Sequence, residues 1–166
     1  MAPARQNLAK TADRGGYKNP PASTSLETGP APISAKAISA LRDRIGGVIL
    51  TDADEGYDAA RQVWNAMIDR RPGAIVRCAD AKDVRIAVDF ARDAGALLAV
   101  RGGGHNIAGS AVCDGGVVID LSAMKGIRVD PAALTARVQP GVTLGELDRE
   151  TQTFGLVTPT GMNSTT

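Results

Sequence analysis

Most of the chemistry this sequence can offer lies in one run: Arg101-Gly102-Gly103-Gly104-His105-Asn106-Ile107-Ala108-Gly109-Ser110. Consecutive glycines let the backbone take positive φ and approach a ligand with no Cβ in the way. Successive N–H groups in such a turn converge into a nest for an anion, suited to a pyrophosphate. The same glycines also fit a flexible surface turn. His105 has two readings as well. It is a surface or hydrogen-bonding histidine, or its neutral imidazole is a nucleophile beside a dinucleotide's pyrophosphate, within reach of an electrophilic carbon of that ligand. Two common phosphate loops are excluded. A P-loop ends in Gly-Lys-Ser/Thr, and there is no lysine here. The dinucleotide fingerprint G-x-G-x-x-G needs a third glycine where Ile107 stands, and an amphipathic helix that does not follow.

Apolar runs predict the elements that hold this loop. Leu97-Leu98-Ala99-Val100 precedes it as a strand, and Val117-Val118-Ile119-Asp120-Leu121 follows it as a buried strand. Upstream, Ala74-Ile75-Val76 reads as a strand and Asp80 as a helix N-cap. Val84, Ala87, Val88 and Ala91 line one helical face, and Gly95 sits where a helix end favours a left-handed residue. Strand, helix and strand at this spacing predict a βαβ unit with parallel strands. Ahead of it, Ile38, Leu41 and Ile45 mark a helix within 33–45 that Gly46-Gly47 ends. Val48-Ile49-Leu50 is a short strand, and 57–67 a short helix or irregular turn in which Trp64 packs, broken by Arg71-Pro72-Gly73. Downstream, Ile127-Arg128-Val129 and 134–139 pair around Asp130-Pro131. Thr143 and Glu146 have capping-box spacing and open a helix to Phe154 that Gly155 stops. The tail, 157–166, is polar and turn-rich.

Composition narrows the partners. The 19 basic and 18 acidic side chains leave +1, no footprint for nucleic acid or an anionic membrane. Aromatics at 3% leave few platforms for stacking bases. Cys78 and Cys113 form no CxxC pair and read as reduced thiols, which fits a cytoplasmic setting. With one histidine and no cysteine cluster, no metal site is expected. Residues 1–32 are rich in Pro, Ala, Ser, Gly and Lys. They lack the apolar run of a signal peptide or a bilayer span, and are expected to be disordered; a misassigned start codon would leave the same kind of segment. Asp52, Asp54 and Glu55 read as a solvated acidic loop, and Asp120 as a structural hydrogen-bonding residue at a strand end.

With Gly116-Val117-Val118-Ile119-Asp120-Leu121-Ser122, Gln139-Pro140-Gly141-Val142 and Pro159-Thr160-Gly161, the glycine–histidine run resembles the FAD-linked oxidases of the vanillyl-alcohol-oxidase type. These are the PCMH-type FAD-binding superfamily, and the resemblance is to its branch of berberine bridge enzymes and hydroxynicotine oxidases. It covers 33–166. It implies an α+β fold, with a small parallel βαβ subdomain beside a second mixed α/β subdomain, FAD between them, and the domain incomplete at its C-terminal side.

The resemblance also implies roles. Arg101, Gly102, Gly103 and Gly104 become the pyrophosphate cradle, and His105 the covalent anchor to a methyl carbon of the isoalloxazine. Asn106, Gly109 and Ser110 complete the loop; Gly141, Pro159, Thr160 and Gly161 line the adenine-to-flavin cleft. Some members hold the flavin a second time through a cysteine after the Pro159-Thr160-Gly161-Met162 turn. Asn163 stands there, so a single link is expected. The implied reaction is hydride removal from a substrate C–H to the flavin, with electrons passed on to oxygen. The catalytic base and the small-molecule substrate pocket would lie beyond Thr166, and no catalytic residue is assigned here. Two alternatives stand: a non-covalent FAD domain of the reductase kind, which does not need His105, and a nucleotide-binding or interaction module without catalysis.

Overall fold

The computed structural model describes residues 33–161 and 163–166, so the disorder expected over 1–32 lies outside the described residues. Ser34 opens α1 (Ala35–Arg42), its hydroxyl accepting the Ala37 N–H at 3.2 Å. Ile38 and Leu41 put one stripe of this helix into the core. Then come β1 (Val48–Leu50), a single turn of helix α2 (Tyr57–Ala60), and β2 (Ala74–Arg77). Asp80 caps α3 (Ala81–Asp93) by accepting the N–H groups of Lys82 and Asp83, and Gly95 follows it at φ +59°. β3 (Leu98–Arg101) and β4 (Val117–Asp120) complete the first sheet.

Its strand order is β1-β2-β4-β3, with β4 parallel to both neighbours and β1 antiparallel at one edge. The expected strand–helix–strand unit is present as β2, α3 and β3, but β4 lies between the two strands. Burial explains the order. All four side chains of β4 are buried, as a strand covered on both faces requires. Leu98 and Val100 of β3 are exposed, which suits an edge.

Alternation along the strands separates two cores. Val76, Val117 and Ile119 meet Ile38, Leu41, Ala87 and Ala91 on the α3 side. Ile75, Ala99 and Val118 meet Tyr57, Ala60 and Val112 on the other. Two expectations are corrected here. Val88 is exposed, because the buried stripe of α3 runs through Asp83, Ala87 and Ala91 and leaves Val88 at its rim. Trp64 does not pack into either core and is 63% exposed. Its segment leaves helical geometry after Ala60, and its N–H bonds across to Gly104 O rather than back along a helix.

The buried carboxylate of Asp83 joins the helix start to the chain after α1, accepting N–H groups from Gly46, Gly47 and Ala79 at 2.9–3.0 Å. Burial pushes its pKa up, but these three backbone bonds outweigh that and hold it below the ordinary carboxylate value.

The second part is a hairpin of β5 (Ile127–Asp130) and β6 (Thr135–Val138), in register Ile127 to Val138, under α4 (Leu144–Gln152). The Glu146 carboxylate accepts the Thr143 N–H at 2.7 Å and its hydroxyl at 3.0 Å, as the capping-box spacing predicts. Lys125 Nζ, 2.7 Å from the same carboxylate, ties α4 to the chain between the two sheets. Together these bonds, the lysine's first, hold Glu146 at a pKa of about 2. Gly155 turns the chain at φ +67°. An apolar groove of about 340 Å³ runs between the hairpin, α4 and the tail, lined by Val129, Leu134, Val138, Leu147 and Leu156 among others.

Candidate functional site

The glycine–histidine loop leaves the sheet at the carboxyl ends of β3 and β4, where open sheets with parallel strands place their ligand crevices. Three register-matched residues fix that edge: Arg77 on β2 and Arg101 on β3 both align with Asp120 on β4. Asp120 Oδ2 lies 2.7 Å from Arg101 Nη2 and 3.0 Å from Arg77 Nε, and Oδ1 accepts the Ser122 N–H at 3.0 Å. Burial pushes the Asp120 pKa up, but the Arg101 guanidinium and the Ser122 bond outweigh it and hold the carboxyl low. Arg101 Nη1 also donates to the carbonyls of Ala60 and Gln62. The Arg101 side chain is therefore turned inward and neutralised, and what it presents to the loop is its peptide.

Beyond Arg101 the backbone is open. Among the described residues, no protein acceptor takes the N–H of Gly102, Gly103, Gly104, His105 or Asn106. Buried Gly104 has φ +75°, a conformation that side chains other than glycine's adopt at a cost. Asn106 then closes the loop on itself: its carbonyl accepts the Gly109 N–H at 3.1 Å and its Oδ1 the Ser110 N–H at 3.0 Å.

A brace unforeseen from the sequence holds this loop from behind. Trp64 N–H donates to Gly104 O at 3.0 Å and Asn65 Nδ2 to Ile107 O at 2.9 Å. Arg70 Nη1 donates to Gly109 O at 3.2 Å and to Val112 O at 2.9 Å. The His105 ring stacks on Trp64, centroids 6.0 Å apart and planes at 25°. The stretch has no periodicity that marks such a role; Trp64-Asn65 and Arg70-Arg71 are its only signal. Gly109 locks loop and brace together, with φ +74° and space for a Cβ only 2.8 Å from Ile68 Cγ2. Gly109→Ala should cost about 1–3 kcal/mol through strain and overpacking, read as a lower urea midpoint.

Pro140 and the end of the tail approach the same edge. A Cβ on Gly102 would lie 3.0 Å from Pro140 O, and one on Gly103 would lie 3.6 Å from the carbonyl carbon of Thr166. The tail folds over the start of α4, where Leu144 and Gly145 donate to Thr166 O and Ser164 O. A Cβ on Gly161 would lie 3.3 Å from Leu144 Cδ1, and Pro159, Thr160 and Gly161 are exposed. Gly141 is buried against the backbone of Leu121 and Ser122, with no room for a Cβ. It joins the turn to the end of β4. Asn163 Oδ1 accepts the Thr165 N–H and hydroxyl.

The thiols stand apart. Cys78 is fully buried and Cys113 partly so, both free. Burial first, then the carboxylates of Asp83 and Asp120, push the Cys78 thiol up to about 12, and burial raises Cys113. Neither is a nucleophile at neutral pH. Among the described residues, no group of three or more His, Cys, Asp or Glu converges as a metal site, and no helix is long and apolar enough to cross a membrane. A row of free N–H donors with no free carboxylate among them, leading to an imidazole, fits an anionic dinucleotide such as FAD.

Comparison with known proteins agrees with that chemistry. Residues 72–166 match the family described as FAD binding domain. The chain is 42% identical to (R)-6-hydroxynicotine oxidase of Paenarthrobacter nicotinovorans over 119 residues, 72% of this chain and 26% of that protein. Among solved structures, 6-hydroxy-D-nicotine oxidase from Arthrobacter nicotinovorans superposes with a TM-score of 0.71 at 41% identity, over 73% of this chain and 27% of that one. A berberine-bridge-enzyme-like protein of Physcomitrella patens gives 0.67 at 28%, over 72% and 26%. The chain belongs to the PCMH-type FAD-binding domain family of flavin-dependent oxidoreductases. It spans about a quarter of the length of the curated relatives it matches.

Proposed function

We propose that this chain is the FAD-binding part of an oxidoreductase that takes hydride from a substrate C–H and passes the electrons to oxygen, with the flavin held covalently through His105. The observation that carries this reading is the row of free N–H groups from Gly102 to Asn106, which contains His105 and sits at the carboxyl ends of parallel strands. The backbone from Arg101 to Gly104 would hold the pyrophosphate; Asn106, Gly109 and Ser110 would keep the loop closed around it. Pro140, Gly141 and the 159–161 turn would border the cleft on the α4 side. FAD, when bound, supplies the two-electron redox chemistry. The substrate is a small molecule, and the free thiols fit a cytoplasmic setting.

Trp64 is the only tryptophan and lies against the loop, so its emission reports binding. Titration with FAD should quench it to a saturating, one-to-one end point. ADP, which carries the pyrophosphate, should compete with the quenching when it is present before FAD is added, and adenosine should not. An emission that falls only in proportion to added flavin, without saturation, would refute the reading.

A further inference from the structure

We infer that Trp64 is a positioning residue for His105, holding its imidazole in the orientation needed to bond the flavin; this rests on the reading just proposed. The chain has one histidine and one tryptophan, and the fold stacks them. Core packing does not account for the indole, which belongs to neither core and is mostly exposed. The backbone that carries it is nonetheless tied to the loop. The Trp64 backbone N–H donates to the carbonyl just before His105, and Asn65 Nδ2 donates to the carbonyl of Ile107, two residues after it.

His105 itself lacks other restraints. Among the described residues, neither ring nitrogen makes a hydrogen bond to the protein, and the three residues before it are glycines. The ring nitrogens thus stay free for bond formation, while the indole sets the ring plane from one side. Stacked aromatic rings prefer defined offsets, so the contact selects an orientation that a hydrogen bond would otherwise have to supply.

The step it serves balances as follows. An imidazole nitrogen forms an N–C bond to a methyl carbon of the isoalloxazine. One C–H of that methyl and the imidazole N–H are lost as protons, and the electron pair left behind goes to dioxygen, which with the two protons becomes hydrogen peroxide. Orientation matters because misplacing a reacting group by about 1 Å can cost on the order of 100-fold in rate.

The test uses the whole chain as wild type, Trp64→Leu and Trp64→Phe. The lone histidine gives one set of imidazole C–H proton signals, which the indole ring current should displace in the wild type. Covalent uptake is followed by intact mass over time after FAD is added in air, and reversible FAD affinity by flavin fluorescence anisotropy. Trp64→Leu should return the histidine signals to unstacked positions and, at FAD concentrations that saturate reversible binding, slow attachment at least about tenfold. Trp64→Phe should restore most of both. Attachment by Trp64→Leu at the wild-type rate would overturn the inference alone, as would Trp64→Phe behaving like Trp64→Leu. A wild-type chain that binds FAD but never attaches it would overturn the inference together with the covalent part of the functional reading.

Discussion

Asp120→Ala should lower the unfolding free energy by about 3–5 kcal/mol, the usual cost of breaking a buried ion pair from one side. The expected signature is a large fall in the urea midpoint with little change in slope. Asp120 is 0% exposed and is shared by Arg77 and Arg101. Without it, Arg101, itself 8% exposed, would be a buried cation answered only by the Ala60 and Gln62 carbonyls. Because Arg101 also anchors the 60–62 segment behind the loop, the variant should lose FAD-dependent quenching of Trp64 as well as stability.

The same carboxylate makes stability depend on pH. Its folded pKa lies below the ordinary 3.8, so the folded state binds its proton less readily than the unfolded chain does. The stabilisation is complete above the unfolded pKa and is lost as pH falls through the lower, folded one. Asp83 is shifted in the same direction. Wild-type stability should therefore begin to fall near pH 4 and continue falling below it. Asp120→Asn should show a shallower acid slope from a lower starting stability.

His105→Ala should have the opposite profile. The side chain is half-buried and makes no hydrogen bond among the described residues, so stability should change by no more than about 0.5 kcal/mol. Reversible FAD binding should survive, since the backbone donors remain. Covalent uptake should vanish entirely.

The parts legible in the sequence were those set by neighbours in the chain. Short apolar runs found β1, β2 and β4, and the Thr143–Glu146 spacing found α4. The glycines and His105 marked the loop because their residue types are unusual together. What stayed hidden depends on contacts between distant segments. The place of β4 between β2 and β3 follows from burial on both faces, which an apolar run does not distinguish from a strand at an edge. The resemblance put Arg101 in the pyrophosphate cradle, and nothing near it in the sequence marks the pairing of its side chain with Asp120, 19 residues on. The brace from Trp64 to Arg70 reaches the loop across about 40 residues through backbone carbonyls, which leave no pattern in side-chain types.

The most direct test of the central claim is the intact mass, under denaturing conditions, of the wild-type chain and of His105→Ala after incubation with FAD in air. The account predicts a wild-type mass increased by one flavin and an unmodified variant. An unmodified wild type, or a flavin retained by His105→Ala, would contradict it.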